Sequence, residues 1–153
     1  MSYVLGIDIS TTSAKALIVD SHGVVIASHS TPQPISQPKP LWSEQHPADW
    51  WAGVATSIRG ALAQAGLSGD AISAIGLTGQ MHGLVMLDAG GHVLRPSILW
   101  NDQRTQAQCD AMTAAIGEEK LIRISGSRAL TGFTAPKILW VRDHEPEVYA
   151  RCA

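Results

Sequence analysis

The sequence predicts a mixed sheet with helices, α/β or α+β by pattern. Three observations carry this. Three short apolar runs joined by tight connections open the chain, one long amphipathic segment follows, and later extended runs give way to helical spacing. At 153 residues the prior is one domain, long enough to bury about two thirds of its unfolded surface.

The opening run, residues 3–8 (YVLGID), is apolar and ends on a carboxylate, as a short buried strand does. Residues 13–20 (SAKALIVD) form the second strand and residues 24–30 (VVIASHS) the third. Between them Asp20-Ser21-His22-Gly23 is a turn, with glycine where a positive φ is easiest. Two tight connections make an antiparallel meander. Residues 31–42 hold Pro32, Pro34, Pro38 and Pro40, which deny helix and ladder hydrogen bonds, so this is a surface loop.

Residues 47–65 are a helix. Pro47 suits the first position, Asp49 complements the dipole, and Gly66 stops it. Trp51, Val54, Ala55, Ile58, Ala61, Leu62 and Ala65 recur at helical steps and define the expected buried face. Residues 71–78 and 84–88 are expected strands. Ala89-Gly90-Gly91-His92 is a hairpin-type connection, and residues 93–100 are extended, with Pro96 at an edge or break. Helices are expected at 105–116, closed by Gly117, and at 136–144, while residues 145–153 begin a further helical pattern. Gly126, Gly132 and Pro136 punctuate the interval between those helices.

Composition excludes several classes. With 45% hydrophobic and 16% charged residues the chain is not expected to be disordered. A net charge of −2 without any Lys/Arg run argues against nucleic acid or an anionic membrane as partner. No stretch approaches the ~18 apolar residues of a membrane span. MSYVLGIDIS lacks a basic leader, and Cys109 and Cys152 form neither ligand spacing nor a disulfide framework, so a cytoplasmic, reducing setting is expected.

Three constellations could carry chemistry. In Gly6-Ile7-Asp8-Ile9-Ser10-Thr11-Thr12-Ser13-Ala14-Lys15, a carboxylate ends a strand and small hydroxylated residues turn the chain. Small side chains admit phosphate to backbone N–H groups, hydroxyls add donors, and Asp8 can orient Mg²⁺ through water. The alternative is an ordinary hairpin whose Ser and Thr satisfy the backbone. In Thr78-Gly79-Gln80-Met81-His82-Gly83, two glycines bracket side chains exposed from a sharp connection, where His82 can meet a sugar hydroxyl or be a plain turn residue. In Trp100-Asn101-Asp102-Gln103-Arg104, an indole beside short polar groups suits a carbohydrate, although Trp100 could fill the core while Asn101 or Asp102 caps a helix. Trp42, Trp50 and Trp140 read as core residues, and His22, His29, His46, His92 and His144 as solvated ones.

In this order and spacing the segments resemble the FGGY family of carbohydrate kinases. Gly6-Ile7-Asp8-Ile9-Ser10-Thr11-Thr12-Ser13 is similar to its first phosphate loop, with Ser10 where the family more often has Gly. Leu41-Trp42-Ser43-Glu44-Gln45 with Pro47, Trp50 and Trp51 resembles its W-x-E-Q-x-P-x-x-W-W segment. Gly79-Gln80-Met81-His82-Gly83, Ile98-Leu99-Trp100-Asn101-Asp102 and Gly132-Phe133-Thr134-Ala135-Pro136-Lys137 resemble its sugar-site and following segments.

The resemblance implies an α/β, ribonuclease-H-like lobe of the actin/hexokinase/Hsp70 type, with residues 1–153 as the N-terminal lobe of a two-lobed sugar kinase. It implies ATP and Mg²⁺ as cofactors and D-xylulose, or a related ketose, as substrate. Asp8 would organise Mg²⁺ and the γ-phosphate, and Ser10, Thr11, Thr12 and Ser13 would line the phosphate loop. Gln80, Met81 and His82 would contact the ketose, with Trp100, Asn101 and Asp102 as pocket wall. The general base, second phosphate loop and adenosine pocket would belong to a C-terminal lobe, so this piece is expected not to turn over alone, and a homodimer is a plausible assembly. Rival readings are an FGGY kinase for ribulose, gluconate, rhamnulose or fuculose, a non-catalytic sugar-binding module, and an actin-like ATPase module.

Overall fold

The computed structural model describes residues 2–153. Strands are β1 (Tyr3–Ile9), β2 (Ser13–Val19), β3 (Val25–Pro32), β4 (Glu44–Gln45), β5 (Ile72–Gly79) and β6 (Ser97–Ile98). Helices are α1 (Pro47–Ala65), α2 (Gln106–Ile116), α3 (Glu118–Ser125), α4 (Thr134–His144) and α5 (Pro146–Arg151). Length suggests one domain; packing divides the chain into two compact units. The chain up to Ile35 with Ala48–Gln80 forms the first, and Ser36–Pro47 with Met81–Ala153 forms the second.

In the first unit the sheet order is β3-β2-β1-β5, antiparallel through the meander and parallel between β1 and β5. Asp20 closes the β2–β3 turn by accepting the N–H groups of His22 (2.8 Å) and Val24 (2.9 Å), with Gly23 at φ 81°. Pro32 ends β3 on an edge strand, where a missing donor costs least. Leu5, Ile7, Ala14, Ala16 and Ile18 pack with Val54 and Ala61 of α1 into one core.

Helix α1 has the expected bounds, and its expected face holds at Val54, Ile58, Ala61, Leu62 and Ala65, which lie in or pack on the core, but not at Trp51. Gly53, Val54, Ser57 and Ala61 are buried, whereas Trp51 is 76% exposed. The seam is made of small residues because helix and sheet approach closely. A Cβ on Gly53 would run into Gln33 Nε2, and one on Gly60 into the His29 ring. His29 is therefore half-buried rather than solvated.

In the second unit β4 and β6 pair antiparallel. The expected strands at 84–88 and 93–100 reduce to single bridges, Leu84 with Ile98 and Leu87 with Val93, plus the short β6. Pro96 supplies no donor, and the main-chain bonds between the two runs are Leu84 with Ile98 in both directions, Leu94 N–H to Met86 O and Asp88 N–H to His92 O. The Leu84 and Met86 side chains pack inward with Ile98, Trp140 and Val141. The connection at 88–92 forms as expected, with Asp88 accepting the N–H groups of Gly90 and His92, each at 2.9 Å. The glycine-punctuated interval contains an additional helix, α3. Its first turn carries Glu118 and Glu119, its last carries Arg123, and Gly126 ends it at φ 76°. Among the described residues no helix is long and apolar enough to cross a membrane.

Candidate functional site

The first unit carries the bend after Asp8 and ends on Gln80, and the second carries Met81–Gly83 and the Trp100–Arg104 segment. In the first, alternation of β1 puts Ile7 into the core and Asp8 on the opposite face of the sheet. The register sets Asp8 directly across from Lys15 of β2 and Thr78 of β5, so a carboxylate, a cation and a hydroxyl share one row. Lys15 was not among the expected site residues; the signal was its place one cross-strand step from Asp8.

The bend itself serves two roles. Ser10 donates to the Ser13 carbonyl through both N–H and Oγ, each at 2.9 Å, and its Oγ accepts from Ser13 N–H at 3.3 Å. Ser10 and Ser13 therefore satisfy the hairpin. Thr11 Oγ1 donates to Gln80 Oε1 at 3.2 Å, while Gln80 N–H donates to Ile9 O at 2.8 Å. Thr12 is exposed. One carboxylate beside hydroxyls and backbone would suit a Mg²⁺ that keeps several of its waters, not a metal caged by protein. Among the described residues no group of three His, Cys, Asp or Glu side chains that could hold a metal ion occurs.

In the second unit Met81 is 71% exposed and His82 is exposed in the left-handed region, φ 62°. Non-glycine residues seldom adopt that conformation, so something must hold it. The His82 carbonyl accepts from Lys137 Nζ (2.7 Å) and Thr134 Oγ1 (3.4 Å), and its ring meets Phe133 edge-on at 4.7 Å. His82, Met112, Leu121, Arg128 and Phe133 line a cavity of about 450 Å³.

Lys137 is fully buried, and its other acceptor is the Gly132 carbonyl at 2.8 Å. Desolvation, with Asp102 opposing and Arg104 reinforcing, lowers its pKa from 10.5 to about 8. The unfolded chain thus binds more protons than the fold between those values, so stability from this group rises as pH climbs through that window. The slope of unfolding free energy against pH, from urea melts between about pH 8 and about pH 10.5, is expected to be steeper in the parent than in Lys137→Met. Equal slopes would count against the buried ammonium. Pattern reading missed Lys137, although a cation three residues before Trp140 in an apolar segment was the available signal.

Trp100 is 50% exposed and does not fill the core. Asn101 is exposed and lines a different cavity, of about 570 Å³, with Gln37, Lys39, Trp42 and Gln103. Asp102, expected as pocket wall, is fully buried: it accepts from Ser43 N–H at 2.6 Å and pairs with Arg104 at 2.7 Å. Its carboxylate anchors the loop from inside. Cys109 is buried in α2, and desolvation raises its thiol pKa, which suits an inert side chain.

The model of the N-terminal domain of the FGGY family of carbohydrate kinases matches residues 3–153. The chain belongs to that family. Among curated proteins, this FGGY chain is 42% identical to a xylulose kinase of Bacillus subtilis (strain 168) over 153 residues, all of the chain and 30% of that protein. It is 40% identical to a xylulose kinase of Escherichia coli (strain K12) over 145 residues, 95% of the chain and 29% of that protein. A solved xylulose kinase from Rhodospirillum rubrum superposes with a TM-score of 0.93 at 31% identity, over 99% of the chain and 31% of that structure. The fold is thus the α/β, actin/hexokinase-type lobe expected, and the chain spans about 30% of the length of its curated relatives.

Proposed function

We propose that the chain is the sugar- and phosphate-binding part of an ATP-dependent kinase that converts D-xylulose to D-xylulose 5-phosphate. The observation that carries this is the exposed Met81–His82 pair, with His82 held in the left-handed region by the buried Lys137, in a chain whose whole length matches xylulose kinases. A residue kept in a sparsely populated conformation by its surroundings is a mark of a functional position.

In this reading Met81 and His82 contact the ketose, His82 through hydrogen bonds to hydroxyls and Met81 through its apolar side chain. Trp100 and Asn101 offer further exposed sugar contacts, and Asp102 fixes the segment that carries them. Gln80 binds Thr11 of the bend and is followed directly by Met81 and His82. Asp8 holds Mg²⁺ through water, with Ser10, Thr11, Thr12 and Ser13 forming the phosphate loop. Ser10 and Ser13 act by shaping the bend, and Thr12 by direct contact. When bound, Mg²⁺ neutralises charge on the transferring phosphoryl group, and the protein's part is mainly positioning. The general base, the second phosphate loop and the adenosine pocket are assigned to a C-terminal lobe, so the chain alone binds without turning over. A cytoplasmic setting agrees with Cys109 and Cys152 both being free thiols.

Calorimetric titration separates the two roles. His82→Ala is expected to weaken D-xylulose binding about tenfold or more, the worth of one good polar contact, and to leave Mg·ATP binding unaltered. Asp8→Asn is expected to do the reverse. Equal loss of both ligands in either variant would overturn the division of labour. Sugar phosphate formed in excess of protein from ATP, Mg²⁺ and D-xylulose would overturn the binding-only role.

A further inference from the structure

A buried lysine is costly, and a Leu or Met would fill the same space without a charge to desolvate. Lys137 nevertheless lies fully buried in α4, with its ammonium between two backbone carbonyls, those of His82 at 2.7 Å and Gly132 at 2.8 Å. Asp102 attracts it and Arg104 repels it. These two carbonyls belong to the two segments that bear His82 and Phe133 on the wall of the 450 Å³ cavity. Thr134 Oγ1 donates to the same His82 carbonyl at 3.4 Å. Gly132 also sits so close to Trp100 that a Cβ there would lie 2.8 Å from the Trp100 carbonyl oxygen. Lys137 therefore grips a segment that packs against the candidate sugar-site backbone on one side and grips the left-handed turn on the other.

We propose that Lys137 is a positioning residue: its buried ammonium, bridging the His82 and Gly132 carbonyls, holds the left-handed turn at His82 and so presents the imidazole to the ketose. The inference rests on the reading that His82 contacts the sugar, and the experiment separates the two. A charged donor is required because charge-assisted hydrogen bonds are about twice as strong as neutral ones. The neutral amine can still donate, so its grip loosens without vanishing.

The test follows the His82 carbonyl carbon and the Lys137 side-chain nitrogen by NMR in the isotopically labelled chain from about pH 7 to about pH 10, above the ordinary histidine range. The His82 carbonyl shift is expected to move with the Lys137 midpoint, near 8. D-xylulose affinity is expected to decline through the same midpoint. In Lys137→Met both pH dependences disappear, and affinity falls by about tenfold to about a hundredfold, the worth of a charged hydrogen bond. A merely structural role would lower stability and leave no such linked profile. A His82 carbonyl that ignores the Lys137 titration in the parent chain would overturn the proposal, and this measurement decides it even if the Met variant does not fold. If the parent binds no D-xylulose while the carbonyl still follows Lys137, the ketose reading fails and the hold on His82 stands.

Discussion

Replacing Asp102 by Ala is expected to cost about 3–5 kcal/mol of folding free energy, the range for breaking a buried ion pair from one side. The carboxylate is completely buried and accepts from Ser43 N–H at 2.6 Å, from Arg104 N–H at 2.9 Å and from the Arg104 guanidinium at 2.7 Å. Arg104 is itself nearly inaccessible, 3.7 Å from the centre of the Trp42 ring and 4.9 Å from that of Trp140. Without Asp102 it keeps Glu44, at 2.8 Å, but Arg95 draws on the same oxygen at 2.8 Å. One cation would then be left in a dry setting with half its compensation, and the Ser43 N–H would lose its acceptor. Lys137 would also lose the attraction that supports its charge, so its pKa should fall further. Urea unfolding measures the effect, with Arg142→Ala as comparison: that pair with Asp143 is exposed and should contribute under about 1 kcal/mol. A loss for Asp102→Ala no larger than for Arg142→Ala would show that the network does not anchor this segment.

The same residue marks where sequence reasoning stops. The Trp100–Arg104 segment has the chemistry of a sugar site, and nothing in its order tells which polar group faces out. The structure turns Trp100 and Asn101 outward and Asp102 inward because a buried guanidinium packed against two indoles, an arrangement built from residues distant in sequence, needs a buried anion. Features fixed locally were legible. Helix α1 starts at Pro47 and ends before Gly66, and the turns at Asp20 and Asp88 form because a carboxylate can cap its own following N–H groups. Helix α3 escaped because the glycines flanking it, Gly117 and Gly126, read as breaks when they are in fact its two ends. The strands expected at 84–88 and 93–100 failed for the opposite reason: their alternation is real, since Leu84 and Met86 are buried, but their pairing reduces to isolated bridges and Pro96 brings no donor to it. At the candidate site Asp8, Met81 and His82 were visible as residue types, whereas the left-handed turn and the lysine that holds it depend on a contact across 55 positions.

Helix α1 provides the second large expected effect. Its apolar periodicity includes Trp51, but the residues it buries are Val54 and the small-residue row Gly53, Ser57 and Ala61, the row being spaced four apart. That row meets Ala14 and Ala16 of β2, both fully buried. Ser57 Oγ donates to the Ala14 carbonyl at 2.8 Å and lies 2.8 Å from Thr31 Oγ1, tying the helix to β2 and β3 together. Ser57→Leu would insert bulk where no room exists, at about 1–3 kcal/mol, and remove a buried hydrogen bond, at about 1 kcal/mol, for a loss of about 2–4 kcal/mol. Trp51→Ala, at a position 76% exposed, should cost under about 1 kcal/mol. Were Trp51 the core anchor its periodicity suggests, truncation would cost about 3–5 kcal/mol and the order would invert. Urea melts of the two variants therefore decide which face of the helix carries the packing, and a Trp51 loss exceeding the Ser57 loss would overturn the small-residue seam.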